Sequence, residues 1–147
     1  MTLARTISFS KVRLLLGDGS SPEQYSAPCG LNSRALNRTK NLNEVNIPDC
    51  DDEDAPAWVG REVQTLSWGV TGDGVIAEQS IEMWEDFFNG STSKSVRVEI
   101  ELPTQAMLAY EGKAHLSNFT MGANRGEKAT VTIELAGDGA LVPVPIT

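Results

Sequence analysis

The 147-residue sequence contains one histidine, His115, and two cysteines, Cys29 and Cys50. A lone imidazole cannot build a multi-histidine metal centre, and His115 lies in a segment that reads as strand. Two cysteines are too few for a disulfide scaffold. They read as small buried hydrophobes, with a single bridge left open. No stretch approaches the roughly 20 apolar residues that a membrane helix needs. The short run Leu14 to Leu16 follows Lys11 and Arg13, which is not the pattern of a signal-peptide core. The expected site of synthesis is therefore the cytoplasm. Positive charge is also scarce: 12 Lys and Arg stand against 20 Asp and Glu, a formal net charge of −8. The basic residues are scattered, and phosphate binding needs them clustered. No P-loop, GxGxxG or GxSxG occurs, and no base is positioned beside a nucleophile. The inventory points to no enzyme, no cofactor and no metal site.

What is present is an ordinary globular composition, 40% hydrophobic and 22% charged. The length suits one domain spanning 1–147 with a hydrophobic core of its own. Ile7 and Phe9 alternate with polar residues, and the apolar parity then shifts to Val12, Leu14 and Leu16. Such a shift marks a break or bulge near Ser10-Lys11, so residues 1–10 form an arm. A dense turn signal follows at Gly17 to Pro22. Residues 28–60 have little periodicity and read as a long interaction loop or partly extended hairpin. Leu66, Trp68 and Val70 share one face of a strand, and Thr71 to Gly74 reads as a turn.

One amphipathic helix is expected at about 75–89. Ala77, Ile81, Trp84 and Phe88 recur at helical spacing, and Ile76, Met83 and Phe87 widen the stripe. Trp84, Phe87 and Phe88 are its expected core residues. Asp73 is the candidate N-cap and Asn89-Gly90 the stop. The remainder alternates with a period of two. Val96, Val98, Ile100 and Leu102 form a half-buried strand. A long strand from Met107 to Met121 changes parity near Ser117-Asn118. Val131, Ile133 and Leu135 form another, and a turn at Ala136 to Gly139 precedes a last strand, Ala140 to Val144. The expected fold is mainly β: an antiparallel β-sandwich or barrel with one flanking helix.

Two acidic features stand out. Asp49, Asp51, Asp52, Glu53 and Asp54 fall within six residues. A calcium loop needs alternating oxygen ligands, a glycine at its sixth position and a late bidentate Glu, and that spacing is missing. A solvated loop and an acidic contact loop, meeting basic residues of another subunit, both remain open. Trp58 beside the run favours contact, because aromatics are enriched in interfaces. The helix carries Glu78, Glu82, Glu85 and Asp86 with no Lys or Arg. Its like charges at i,i+4 each cost about 0.2–0.5 kcal/mol.

The order of features is distinctive. Val45-Asn46-Ile47-Pro48 leads into the acidic run and Ala55-Pro56-Ala57-Trp58, then Arg61-Glu62 and a strand ending in Trp68. Thr71-Gly72-Asp73-Gly74 precedes the helix with Trp84 and Phe88. Tyr110-Glu111-Gly112-Lys113-Ala114 opens a long strand ending at Asn118-Phe119, followed by Gly122 to Gly126 and Glu127 to Val131, and Gly137-Asp138-Gly139 comes before the end. Over roughly residues 10–144 this resembles the major tail tube proteins of long-tailed non-contractile bacteriophages. It is also similar to the tube subunit of phage-derived gene-transfer particles.

The resemblance implies a structural virion protein of the tail. Its subunits would form hexameric rings that stack into a hollow tube through which DNA passes without specific binding. The implied partners are further copies of the chain and the tape-measure, tail-tip initiator and terminator proteins. The arm and the region 28–60 would bridge subunits and rings. Asp49, Asp51, Asp52, Glu53, Asp54, Trp58, Arg34 and Arg38 are the expected contact residues. Two other readings compete: a β-sandwich binding module for carbohydrate or capsid decoration, and the tube protein of a contractile or type VI secretion system.

Overall fold

Alternating apolar residues dictate strands through most of the chain. The computed structural model describes residues 2–19, 24–104 and 106–144. Seven strands are present among them: β1 (Val12–Gly17), β2 (Tyr25–Ser26), β3 (Leu31–Ile47), β4 (Trp58–Val75), β5 (Lys94–Glu101), β6 (Met107–Gly122) and β7 (Thr130–Val144). They form one sheet in the order β2-β1-β5-β6-β7-β4-β3. The pairs β1–β2, β1–β5, β5–β6, β6–β7 and β4–β7 are antiparallel. The helix, α1, spans Glu78–Asn89. The antiparallel β architecture with one flanking helix is as expected, and the sheet is not closed into a barrel.

The chain divides into two compact units. One comprises residues 1–37 and 68–147, and the other is 38–67. The first holds the core. Leu14 and Leu16 of β1, Val96 and Val98 of β5, Ala114 and Leu116 of β6, and Val131, Ile133 and Leu135 of β7 are all buried, with Trp68 and Val70 of β4. Trp84 and Phe87 of α1 pack on them, and the Trp84 ring lies 6.5 Å from that of Phe119. Burying a large apolar side chain contributes about 1.5–3 kcal/mol, so this face dominates the stability of the unit.

Several local expectations change. The helix starts at Glu78, and Asp73 does not cap it: Asp73 lies in β4 and accepts a 2.6 Å hydrogen bond from Ser33 Oγ. The expected turn Thr71 to Gly74 is strand, because β3 lies against it. A Cβ at Gly74 would sit 2.1 Å from the Gly30 carbonyl oxygen, so only glycine permits that approach. Residues 136–139 do not reverse the chain. β7 continues through them, pairing with β6 on both sides. The parity change near Ser117 is real: the β6–β7 register shifts between Leu116 and Asn118, and again between Glu111 and Lys113. The break near Ser10 is a 3-10 turn, Phe9–Lys11. The turn expected at Gly17 to Pro22 lies partly outside the described residues.

Phe88 is 49% exposed rather than core, since it lies at the end of α1 beyond the face that Trp84 and Phe87 bury. Cys29 and Cys50 are unbonded and exposed, not buried. Each lies in a connection, outside the strand positions that point into the core.

Candidate assembly surfaces

The second unit is a ribbon made from the outer halves of β3 and β4 and the connection 48–57. Of the expected loop region 28–60, only this connection and the residues before β3 are loop. The polar stretch Asn32 to Asn43 forms strand because β4 supplies its hydrogen-bonding partners. Asn41 Nδ2 donates to Thr65 Oγ1 at 2.7 Å, and Arg61 approaches Glu44 at 3.6 Å.

None of residues 38–67 is buried. The ribbon nevertheless exposes Leu42, Val45, Ile47, Trp58, Val59, Val63 and Leu66, with Trp58 83% and Leu66 70% exposed. Leu66 keeps its alternation with Trp68 and Val70, but no core covers it. A two-stranded ribbon is marginal in water by itself. Apolar side chains exposed on such a unit make it the candidate contact surface.

The acidic run forms the ribbon's tip, and all five of its carboxylate residues are exposed. Two of them shape the turn. The Asp51 N–H donates to Asp49 Oδ1 at 2.9 Å, and the Asp54 N–H to Asp52 Oδ1 at 3.1 Å. Trp58 opens β4 just beyond. Arg38 is in the same unit, near the opposite end of the ribbon; at about 3.3 Å per residue, roughly 30 Å of strand separates it from the tip. The tip and Trp58 are thus brought together, and Arg38 is held apart from them.

Arg34 belongs to the first unit, where it holds the arm. Its guanidinium carbon lies 4.2 Å from the centre of the Phe9 ring, and Nη2 donates to the Phe9 carbonyl at 3.3 Å. Burial, and then the charge of Arg13, lower the pKa of Arg34. Phe9 was missed as Arg34's partner from sequence. Its signal was the parity break that follows it. Upstream, residues 2–8 have no regular structure and are exposed.

The sheet face opposite the core carries ion pairs that sequence reading also missed. Arg13 lies across from Glu99 on the neighbouring strand and contacts it at 2.8 Å; Arg97 Nε lies 2.7 Å from the same carboxylate. Arg97 Nε lacks hydrogen-bond alignment there, so that contact is chiefly coulombic. Arg97 also pairs with Glu111 and Lys11 with Glu101 at 3.3 Å, and the His115 imidazole lies 3.4 Å from the Asp138 carboxylate. The exposed Lys11–Glu101 pair contributes about 0–1 kcal/mol, and the pairs that share Glu99 and Arg97 are partly buried. Their larger effect is to occupy the cations.

The negative excess is therefore localised. The tip and α1 hold nine of the 20 acids and no Lys or Arg. The other 11 acids are matched by 12 basic residues. Among the described residues, no group of three or more His, Cys, Asp or Glu is placed to hold a metal ion. No helix among them is long and apolar enough to cross a membrane.

Comparison with known proteins gives this arrangement a context. The fold is similar to that of the tail of an empty gene transfer agent particle refined with C6 symmetry: TM-score 0.73, 15% identity, covering 95% of this chain and 100% of that one. It is similar to the SPP1 tail tube at TM-score 0.65 and 9% identity, over 94% of this chain and 78% of that one. A PVC extracellular contractile injection system sheath–tube complex gives TM-score 0.62 and 12% identity, over 95% and 91%. No curated protein matches. Sequence similarity is decisive where these likenesses show the fold alone: the family described as phage tail tube protein matches residues 6–143, and this chain belongs to that family.

Proposed function

We propose that this protein is the structural subunit of a phage-type tail tube, forming hexameric rings that stack around a channel for DNA. Its place is the virion tail, and its role is architectural rather than catalytic. The observation that supports the reading, beyond family membership, is the ribbon 38–67. It exposes seven large apolar side chains and buries none. Such a surface is stabilised by contact with further copies, and a heterologous contact repeated along an axis builds a filament. The arm at 2–8 is a second bridging element. Tape-measure, tail-tip initiator and terminator proteins are the further partners.

Electrostatics fits a conduit. Lys11, Arg13 and Arg97 are engaged by carboxylates, so they offer DNA phosphates little to bind. The overall charge of −8 repels the same phosphates. DNA then passes without specific binding.

Negative-stain microscopy of the purified full chain, alone and with its initiator and tape-measure proteins, tests the reading. Rings or tubes of one fixed outer diameter are expected. A protein that stays monomeric at all salt concentrations with those partners supplied overturns it.

A further inference from the structure

α1 ends against its own electrostatics. The carbonyl end of a helix carries partial negative charge and favours cations. Here the last turn holds Asp86, with Glu85 just before it, and no basic residue. Glu82 and Asp86 add a like-charge pair at i,i+4. Packing secures little of this turn, since of residues 86–89 only Phe87 is buried. At its close the turn is held by one backbone bond, from the Gly90 N–H to the Asp86 carbonyl at 3.1 Å. Helix ends fray first, and a turn so placed opens readily.

Asn89 stands at that exit, and Asn89-Gly90 is the one Asn-Gly step in the chain. Both residues are exposed. The Asn89 side-chain amide donates to Glu85 Oε2 at 3.5 Å, the outer limit of a hydrogen bond. Glycine has no Cβ to shield its backbone nitrogen. An amide carbon, an unshielded nitrogen one residue on and a weakly held backbone bond are thus placed together.

We infer that Asn89 is a site of spontaneous deamidation, gated by opening of the last turn of α1. While the Gly90 N–H is bound to Asp86, its nitrogen is not free to attack. Once the turn opens, that nitrogen loses its proton to solvent and bonds to Asn89 Cγ. The Cγ–Nδ2 bond breaks, and the side-chain nitrogen leaves as ammonia. A five-membered cyclic imide results. Water then opens either carbonyl of the ring, leaving aspartate or isoaspartate at position 89. In sum one water is consumed, one ammonia is released and the chain gains one negative charge. That charge falls at the helix end beside Glu85 and Asp86, where the dipole opposes it, so conversion weakens the turn that gated it. The inference does not depend on the tube reading.

Incubating the purified full chain in mildly alkaline buffer, followed by peptide mapping with mass spectrometry, tests it. The peptide containing Asn89 should gain about one dalton, with isoaspartate among the products. Asn89→Gln should lose the gain, because its ring would have six members. Asp86→Lys replaces an opposed charge with a favoured one at an exposed position and should slow conversion by about threefold or more. Hydrogen exchange at the Gly90 amide should slow by the same factor, since both reactions wait on one hydrogen bond. In urea, where no helix stands, the two chains should convert at the same rate. An Asn89 that keeps its amide in the folded chain while converting in urea overturns the inference. So does conversion in the folded chains that fails to follow Gly90 exchange.

Discussion

The Trp68 indole N–H donates to the Gly139 carbonyl oxygen at 3.1 Å, fastening β4 to the irregular middle of β7. The ring fills space left by two glycines. A Cβ at Gly137 would lie 2.4 Å from it, and one at Gly112 would lie 2.7 Å from it. Gly137→Ala should therefore destabilise the protein by about 1–3 kcal/mol through overpacking. Trp68→Phe should cost at least the hydrogen bond, about 0.5–1.5 kcal/mol. Chemical denaturation of both variants checks this; an unchanged midpoint for Gly137→Ala would show that the ring does not fix this strand.

The helix is held by Trp84, which is 3% exposed and packed on Phe119. Trp84→Ala should cost about 3–5 kcal/mol, whereas Phe88→Ala, at an exposed position, should stay within about 0.5 kcal/mol. The difference between the two measured unfolding free energies is the test.

Neutralising the tip as Asp51→Asn, Asp52→Asn, Glu53→Gln and Asp54→Asn should separate folding from assembly. The tip is exposed and ends a ribbon with no buried residue, so unfolding free energy should change by no more than about 0.5 kcal/mol per substitution. Tube yield should fall. Wild-type tube yield would remove the tip from the contact.

Phe9→Ala removes the ring beneath Arg34 and should cost about 0.5–1 kcal/mol, the scale of an exposed cation–π contact. Deleting residues 2–8 removes no buried side chain. It should leave the melting temperature unchanged and impair assembly, measured by sedimentation and microscopy.

Much of the first unit was legible in the residues themselves. Strand alternation located Val96 and Val98, and Val131, Ile133 and Leu135, on the buried face, because the side-chain period of a strand is two whatever it pairs with. Helical spacing located Trp84 and Phe87 for the same reason. The expectation of no multi-histidine metal centre and no clustered basic patch also rested on composition alone. The acidic run was visible as a run, though not as the tip of a ribbon.

Long-range pairing was beyond what periodicity can show. Asn32 to Asn43 has almost no apolar pattern and is nevertheless strand, since its backbone groups are satisfied by β4. Gly72 and Gly74, which read as a turn, are glycine because another backbone lies against them. Arg34 was singled out by type alone; only the fold placed Phe9 and Arg13 beside it. The deficit of positive charge argued against a phosphate-binding patch at the outset. The sequence also showed the acids gathered in the run 49–54 and in the helix; tertiary structure added that Glu99 engages Arg13 and Arg97 on the sheet. Sequence determines how many charges a chain carries and which residues alternate. Which charges meet depends on contacts between residues far apart in the chain, and those exist only once it has folded.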